Sequence, residues 1–364
     1  MSKAWLRWTP AAVAVIVVAG VAVAIPAAAN ASVSLPTRTA AQVLALVASS
    51  KVTALSGTVD ETSDLGLPSL PSGAGAPSTG SSGTAADLAL LTGTNSLRIY
   101  VDGRTKLRVQ DLESLAERDV IRNGTDVWTY DSATNSVEHA TLSATAHHPM
   151  HSGATTQAPS TDPAELTPEG LATKLLAELK PSSNVAVSPD DVRVANRAAY
   201  ELVLTPKATD TLLGSIRIAV DAQTGLPLRV QLDARGQKTP AVSIGFSTID
   251  LSTPAASLFT FTPPTGAKVK ELAAPTHSPA KQHTVTAKPS HTVTGSGWDA
   301  VVTISAAGSL GDLSSSSEFA ELTTAVTGGR LLHTSLFNIL FTTDGRVLAG
   351  SVPVARLQAV ASAS

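Results

Sequence analysis

The stretch AAYELVLTPKATDTLLGSIRIAVDAQTGLPLRVQL, from Ala198 to Leu232, decides the fold. Tyr200, Leu202 and Leu204 alternate with Glu201 and Val203 until Pro206 breaks the run. Ile216, Ile218 and Val220 alternate next, and DAQTG (Asp221 to Gly225) turns the chain. Leu226, Leu228 and Val230 then return, with Arg229 and Gln231 between them. A period of two sends successive side chains to opposite faces of a strand, and two such runs about a glycine-containing turn read as a hairpin. The expectation is a series of antiparallel strands.

Working outward, Asn95 to Leu142 reads as a meander. Leu97, Ile99 and Val101 lead to Asp102-Gly103, and Leu107 and Val109 return. Glu117 to Arg122 run to Asn123-Gly124, a second strong hairpin turn, followed by Val127-Trp128-Thr129-Tyr130 and a turn at Asp131 to Asn135. Further strands are expected at Val52 to Glu61, from Val192 onward, at Val242 to Ile249 and at Phe259 to Phe261. Two helices precede the two sheet regions. Thr39 caps one whose stripe is Val43, Leu44, Leu46 and Val47. Thr167 caps the other, with Pro168 at its first position, Leu171, Leu175, Leu176 and Leu179 on its face and Pro181 at its end. The class is α+β, since a sheet with one apolar side buries it under helices.

The wording of these strands is also informative. The tyrosine-led strand, the break at Thr205-Pro206-Lys207, the hairpin IAVDAQTGLPLRV (Ile218 to Val230) and the closing FTFTPPTGAKV (Phe259 to Val269) together resemble the LolA/RseB-like superfamily. KLRVQDLESLAERDVIRNGTDVWTYDSATNSVEH (Lys106 to His139) is similar to that family's paired strands with an Asn-Gly turn before a Val-Trp-x-Tyr strand. The resemblance implies a strongly curved antiparallel half-barrel closed by helices, here Ala40–Ser50 and Thr167–Lys180, around a cavity that accepts acyl chains. It implies a non-enzymatic carrier or sensor outside the cytoplasm, whose partner is a lipid or an acylated lipoprotein. The alternative it carries is an RseB-like regulator that binds a membrane-bound anti-sigma factor through its C-terminal module. The candidate cavity residues are Leu97, Ile99, Val101, Leu107, Val109, Val127, Tyr200, Leu202, Leu204, Ile216, Ile218 and Val220, with Trp128 and Tyr130 at the mouth or wall.

The expected organisation is a signal peptide or membrane anchor at 1–31, the LolA/RseB-like domain at 35–269, a polar linker at 270–297 and a small α+β module at 298–364. In that module Val301, Val302 and Ile304 suggest a strand and Glu318 to Val326 a helix. Strands are read at Leu331-Leu332, Leu336 to Phe341 and Val347 to Val352, and a closing helix at Val354 to Ala361. At the N-terminus, Lys3 and Arg7 precede an apolar run from Ala11 to Ile25, and Ala29-Asn30-Ala31 offers a cleavage site. Retention as a single span is the alternative, with Trp5 and Trp8 at the interface. Either way the body is exported, secreted or held at the outer face of the cytoplasmic membrane.

Composition narrows the chemistry. The chain has no cysteine, hence neither a disulfide nor a lipobox thiol. A net charge of −3 with 15% charged residues gives no electrostatic case for nucleic acid. No GxSxG or HExxH motif is present, and Asp60 and Glu61, adjacent on a strand, point to opposite faces. His147, His148 and His151 cluster in a polar loop without a carboxylate or thiol to complete a metal site. His277, His283 and His291 fall in the expected linker. No enzyme, cofactor or metal is expected, and the chain is expected to be a monomer.

Overall fold

A computed structural model describes residues 35–67, 93–112, 117–142, 168, 172, 173, 176, 180–272, 291–305 and 317–363. The expected signal peptide or anchor, the loop histidines His147, His148 and His151, and the linker histidines His277 and His283 lie outside the described residues.

The larger of two sheets contains β1 (Ala54–Ser63), β2 (Gly93–Asp102), β3 (Lys106–Leu112), β4 (Glu117–Asn123), β5 (Asp126–Asp131) and β6 (Ser136–Thr141). It continues with β7 (Ser183–Val187), β8 (Val192–Val194), β9 (Arg197–Pro206), β10 (Leu213–Asp221), β11 (Pro227–Ala234), β12 (Val242–Asp250) and β13 (Lys268–Leu272). Their order is β13-β6-β5-β4-β3-β2-β1-β12-β11-β10-β9-β7, with β8 on β9. The pairs are antiparallel except β13 on β6, which is parallel. The hairpin turns fall where the sequence places them, with Gly103, Gly124 and Gly225 at φ of 69°, 65° and 76°. Glycine enters that left-handed region without the Cβ penalty.

Helix α1 (Ala40–Ala48) starts in a capping box. Thr39 accepts from the Gln42 amide, and the Gln42 side chain accepts from the Thr39 amide. Its other end abuts the 221–225 turn. A Cβ on Gly225 would lie 2.2 Å from the Leu46 carbonyl oxygen, so only glycine lets the helix seat there. Of the helix expected at 167–180, Pro168, Ala172, Thr173 and Leu176 are described, all helical, with Ala172 and Leu176 buried beside Val43.

Residues paired across strands share a face, which lets one side be followed along the sheet. Leu202, Ile218, Val230 and Ile244 are successive partners, Ile244 pairs with Glu61, and β1 then places Leu55 and Val59 on that side. Val59 pairs with Leu97, and Leu55 with Val101 and so with Leu107. This front face is largely apolar from β7 to β3, interrupted by Glu61, Asn95 and Asp111. At β4 to β6 it turns polar, carrying Arg118, Asp131 and Glu138. There the apolar side is the reverse face, where Ile121, Trp128, Tyr130 and Val137 sit in partnered rows. The segment after β12 lies across it, with Phe259 buried and Phe261 tilted against Trp128 and Tyr130 at 5.6 and 5.8 Å.

Several expectations are corrected. The sheet is open, with β7 and β13 as edges, and is not strongly curled. Its apolar side changes face after β3, so no single concave surface runs from edge to edge. Phe259 to Phe261 is not a strand: Ala256–Phe259 is a 3-10 turn inside the covering segment. The expected linker begins and ends in strands, β13 and β14 (His291–Thr294). Every residue of both is exposed, so backbone pairing at sheet edges holds them and composition hides them.

The second sheet runs β14-β15-β19-β18-β17-β16. It contains β15 (Val301–Ser305), β16 (Thr324–Val326), β17 (Gly329–His333), β18 (Asn338–Thr342) and β19 (Arg346–Gly350). Helices α2 (Ser317–Leu322) and α3 (Val354–Ala363) accompany it. Its core is Val301, Leu331, Leu340, Leu348, Val352, Leu357 and Val360. The helix expected through Val326 stops at Leu322, and the rest is β16, paired with β17.

The seat at Gly225 is testable by comparison with Gly236, which also has positive φ but nothing within 4 Å of a built Cβ. Gly236→Ala is expected to cost about 1 kcal/mol from backbone conformation alone. Gly225→Ala is expected to cost roughly 1–3 kcal/mol more, from displacement of α1. Urea midpoints measure both, and equal losses would contradict the seat.

Candidate functional site

The candidate site is the front face of β7 to β12 and β1 to β3, with α1 upon it. Leu202, Leu204, Ile216, Ile218 and Val220 are fully buried, and Tyr200 is 3% exposed. They form one cluster with Val43 of α1, Ala172 and Leu176. Ile99, Leu107 and Val109 are buried in a second cluster with Leu55, Val59 and Phe246, against which Leu97 and Val101 pack. Val127 follows Arg122 in the Leu55–Val101–Leu107 row and lies on the front face. The register therefore brings these residues to one face. It excludes Trp128 and Tyr130, which lie on the reverse face of β5 with Phe261. Adjacent residues of a strand cannot share a face, so Val127 and Trp128 cannot line one pocket.

Fully buried side chains leave no water-sized space beside them, so the interior under α1 is packed in this state. α1 is the lighter part of that packing. Of its nine residues only Val43 is buried, while Ala41, Gln42 and Ala45 are exposed. Tyr200 ties the approach to the helix by donating from its hydroxyl to the Pro36 carbonyl at 3.0 Å. The Arg38 guanidinium lies 5.4 Å from its ring centre.

The reverse face of β9 to β12 is electrostatic. Arg229 pairs with the buried Glu201 at 3.2 Å, and Arg217 with Asp233 at 2.9 Å. Gly245 lets the first of these lie flat, since a Cβ there would stand 2.8 Å from Arg229 Cγ. At the turn, Asp221 is 1% exposed and accepts from Arg197 at 3.0 and 2.8 Å and from the Thr224 amide at 2.9 Å. Burial by itself raises the Asp221 carboxyl, but these donors outweigh it and hold it below the usual carboxylate value. Farther along, Arg108 pairs with the buried Asp119 and donates to the Leu258 carbonyl at 3.3 Å, pinning the covering segment. Burial, against the pull of Arg108, pushes the Asp119 carboxyl up.

The second sheet docks on the end of the front face. Leu336, 8% exposed, belongs to the Leu204–Ile216 cluster, with Trp298 and Phe337 packed beside it. Trp298 Nε1 donates to Ser183 Oγ at 2.8 Å, the Ser335 amide to the Leu65 carbonyl at 2.9 Å and Thr211 Oγ1 to the Ser351 carbonyl at 2.8 Å. The sequence leaves this module either free-standing or docked on the main domain and does not mark the contact residues. Leu336-Phe337 reads as a strand start but occupies a turn, where Thr334 accepts from the amides of both at 3.3 and 2.9 Å.

Two open grooves occur among the described residues. One, of about 520 Å³, lies beyond α1 between Ser49, Lys51, Thr53, Gln223 and Leu251. The other, of about 460 Å³, lies over Val120 and Thr129 on β4 to β6, with Arg118, Glu138 and Lys270 around it. Arg118 is paired there with Asp131 and Lys270 with Glu138. Among the described residues no cluster of three metal-binding side chains occurs, and no helix is long and apolar enough to cross a membrane.

No protein-family model matches the chain, and no curated protein sequence matches it. Solved structures do. The crystal structure of MucB is similar over 88% of this chain and 96% of its own, at 14% identity and a TM-score of 0.41. The MucA/MucB complex from Pseudomonas aeruginosa is similar over the same shares, at 16% identity and 0.42. A LolA superfamily protein from Nitrosomonas europaea is similar over 62% of this chain and 99% of its own, at 10% identity and 0.22.

The Asp221 cluster has a pH signature. A lowered folded value means that its contribution is present above the unfolded value, near 3.8, and is lost as pH falls through the lower folded one. Asp221→Ala strands Arg197 and is expected to cost about 3 kcal/mol at neutral pH. The same variant is expected to show a flatter decline of stability as pH falls below about 4 than wild type. Denaturant titrations across that range test this, and an unchanged slope would remove Asp221 from the account.

Proposed function

We propose that this chain is a non-enzymatic, extracytoplasmic binder of acyl chains, a carrier or sensor of lipids or acylated lipoproteins. The observation that carries the reading is the largely apolar front face from β7 to β3, interrupted at Glu61 and Asn95 and covered over β7 and β9 by the short helix α1. An acyl chain takes the place of α1 on this face, burying methylenes at about 0.8 kcal/mol each. α1 is suited to yield because it contributes a single fully buried side chain. The sequence resemblance to LolA/RseB-like domains supports the same reading. The export signal read at residues 3–31 supplies the location, facing the membrane outer leaflet or the envelope.

A second reading is a regulator that engages a membrane-bound anti-sigma factor through the second sheet. It is favoured by the edge strand β14, all of whose residues are exposed, and by Val293 at 58% exposure. An unpaired edge with an exposed β-branched residue accepts a partner strand.

Native mass spectrometry of the full chain purified from a bacterial envelope separates these readings. The lipid reading predicts an adduct with the mass of an acyl lipid. Ile218→Ala should reduce it severalfold, while Trp128→Ala, on the reverse face, should leave it in place. If wild type carries no acyl adduct and gains none from added lipid, the lipid reading fails.

A further inference from the structure

The edge strand β13 is held to β6 by a histidine caught between two carboxylates. His139 of β6 stacks on Trp128 of β5, ring centres 3.8 Å apart and planes 13° from parallel. Its Nδ1 is 2.8 Å from Glu271 Oε2 on β13, and its Nε2 is 3.2 Å from Asp126 Oδ1 on β5. A neutral imidazole has one N–H and serves one of these acceptors only; the imidazolium serves both. Stacking on an indole face also favours the cation.

The charged groups that face the ring are Asp126 from β5 and Glu271 from β13. The covering segment contributes Phe261, and the Lys270–Glu138 pair lies on the opposite face of β13 and β6. The remaining ties are weak. β13 is exposed along its whole length, its ladder with β6 is parallel, and the Lys270–Glu138 pair is solvated. Burial of the ring, whose side chain is 15% exposed, disfavours its charge, but hydrogen bonds to Glu271 and Asp126 outweigh that and raise His139 above its ordinary range.

We propose that Asp126, His139 and Glu271 form a pH-sensitive latch on β13, closed when the ring is protonated and loosened when it is neutral. β13 is the last strand of the large sheet before the chain passes to β14. The sign is that of a raised histidine: the clamp's contribution is complete below the unfolded value near 6.5 and is lost as pH rises through the higher folded value. The latch is independent of the acyl-binding reading, because none of its residues lies on the front face.

Hydrogen exchange on the full chain tests it, with amides of 268–272 followed at about pH 5.5 and 8 after correction for intrinsic rates and β10–β11 amides as reference. Wild type is expected to lose β13 protection by a few-fold and at most about tenfold, the scale of the one charge-assisted hydrogen bond that the neutral ring gives up. His139→Gln is expected to show the weaker protection at both values, with the reference amides unchanged. Constant protection in wild type overturns the proposal, as does wild-type pH dependence in His139→Gln. If a variant also weakens the reference strands, the wild-type comparison alone decides.

Discussion

The carboxylate of Asp221 is the interaction on which the rest of the large sheet depends. It receives Arg197 from the start of β9 and Thr224 from the turn that follows β10, so one buried charge locks three consecutive strands at one end. The same turn ends at Gly225, where the missing side chain admits the Leu46 carbonyl and with it α1. A charge buried with matched donors on every side costs little in place and much when one partner is removed. The pair therefore fixes register more than it adds stability, and register decides which side chains reach the front face.

That face explains the distribution of polar and apolar groups elsewhere. Over β7 to β12 the front is aliphatic and the reverse carries ion pairs, and the described helical residues Val43, Ala172 and Leu176 pack on the front. Over β4 to β6 the arrangement inverts, and the chain after β12 crosses the reverse face to bury Phe259. The second sheet then closes the end of the front face with Leu336, Trp298 and Phe337. On the proposed reading an acyl ligand would enter this architecture by exchange, replacing α1 while the turn below it and the docked sheet beside it stay in place.

Much of this was legible in the sequence. The alternation from Tyr200 to Val230 and the Asp-Gly and Asn-Gly turns report directly on strands, because a period of two and a positive φ leave marks in residue type. Face assignment followed where strands were regular, which is why Ile99, Leu107, Ile218 and their neighbours come together. It failed at Trp128 and Tyr130. Their shared parity was readable, but the side they faced depended on Phe259 and Phe261, far away in sequence. β13 and β14 were invisible for another reason: strands held at an edge by backbone pairing and polar contacts carry no apolar pattern. The Asp126–His139–Glu271 contact likewise needs the parallel pairing of β13 and β6, which no local signal encodes.

The central claim is that an acyl chain replaces α1 on the front face. Hydrogen exchange of the full chain, with and without a long-chain fatty acid above its binding concentration, tests it most directly. The account predicts that amides of Ala40–Ala48 lose protection on binding while those of β17 to β19 keep theirs. Bound fatty acid with α1 protection unchanged would contradict it.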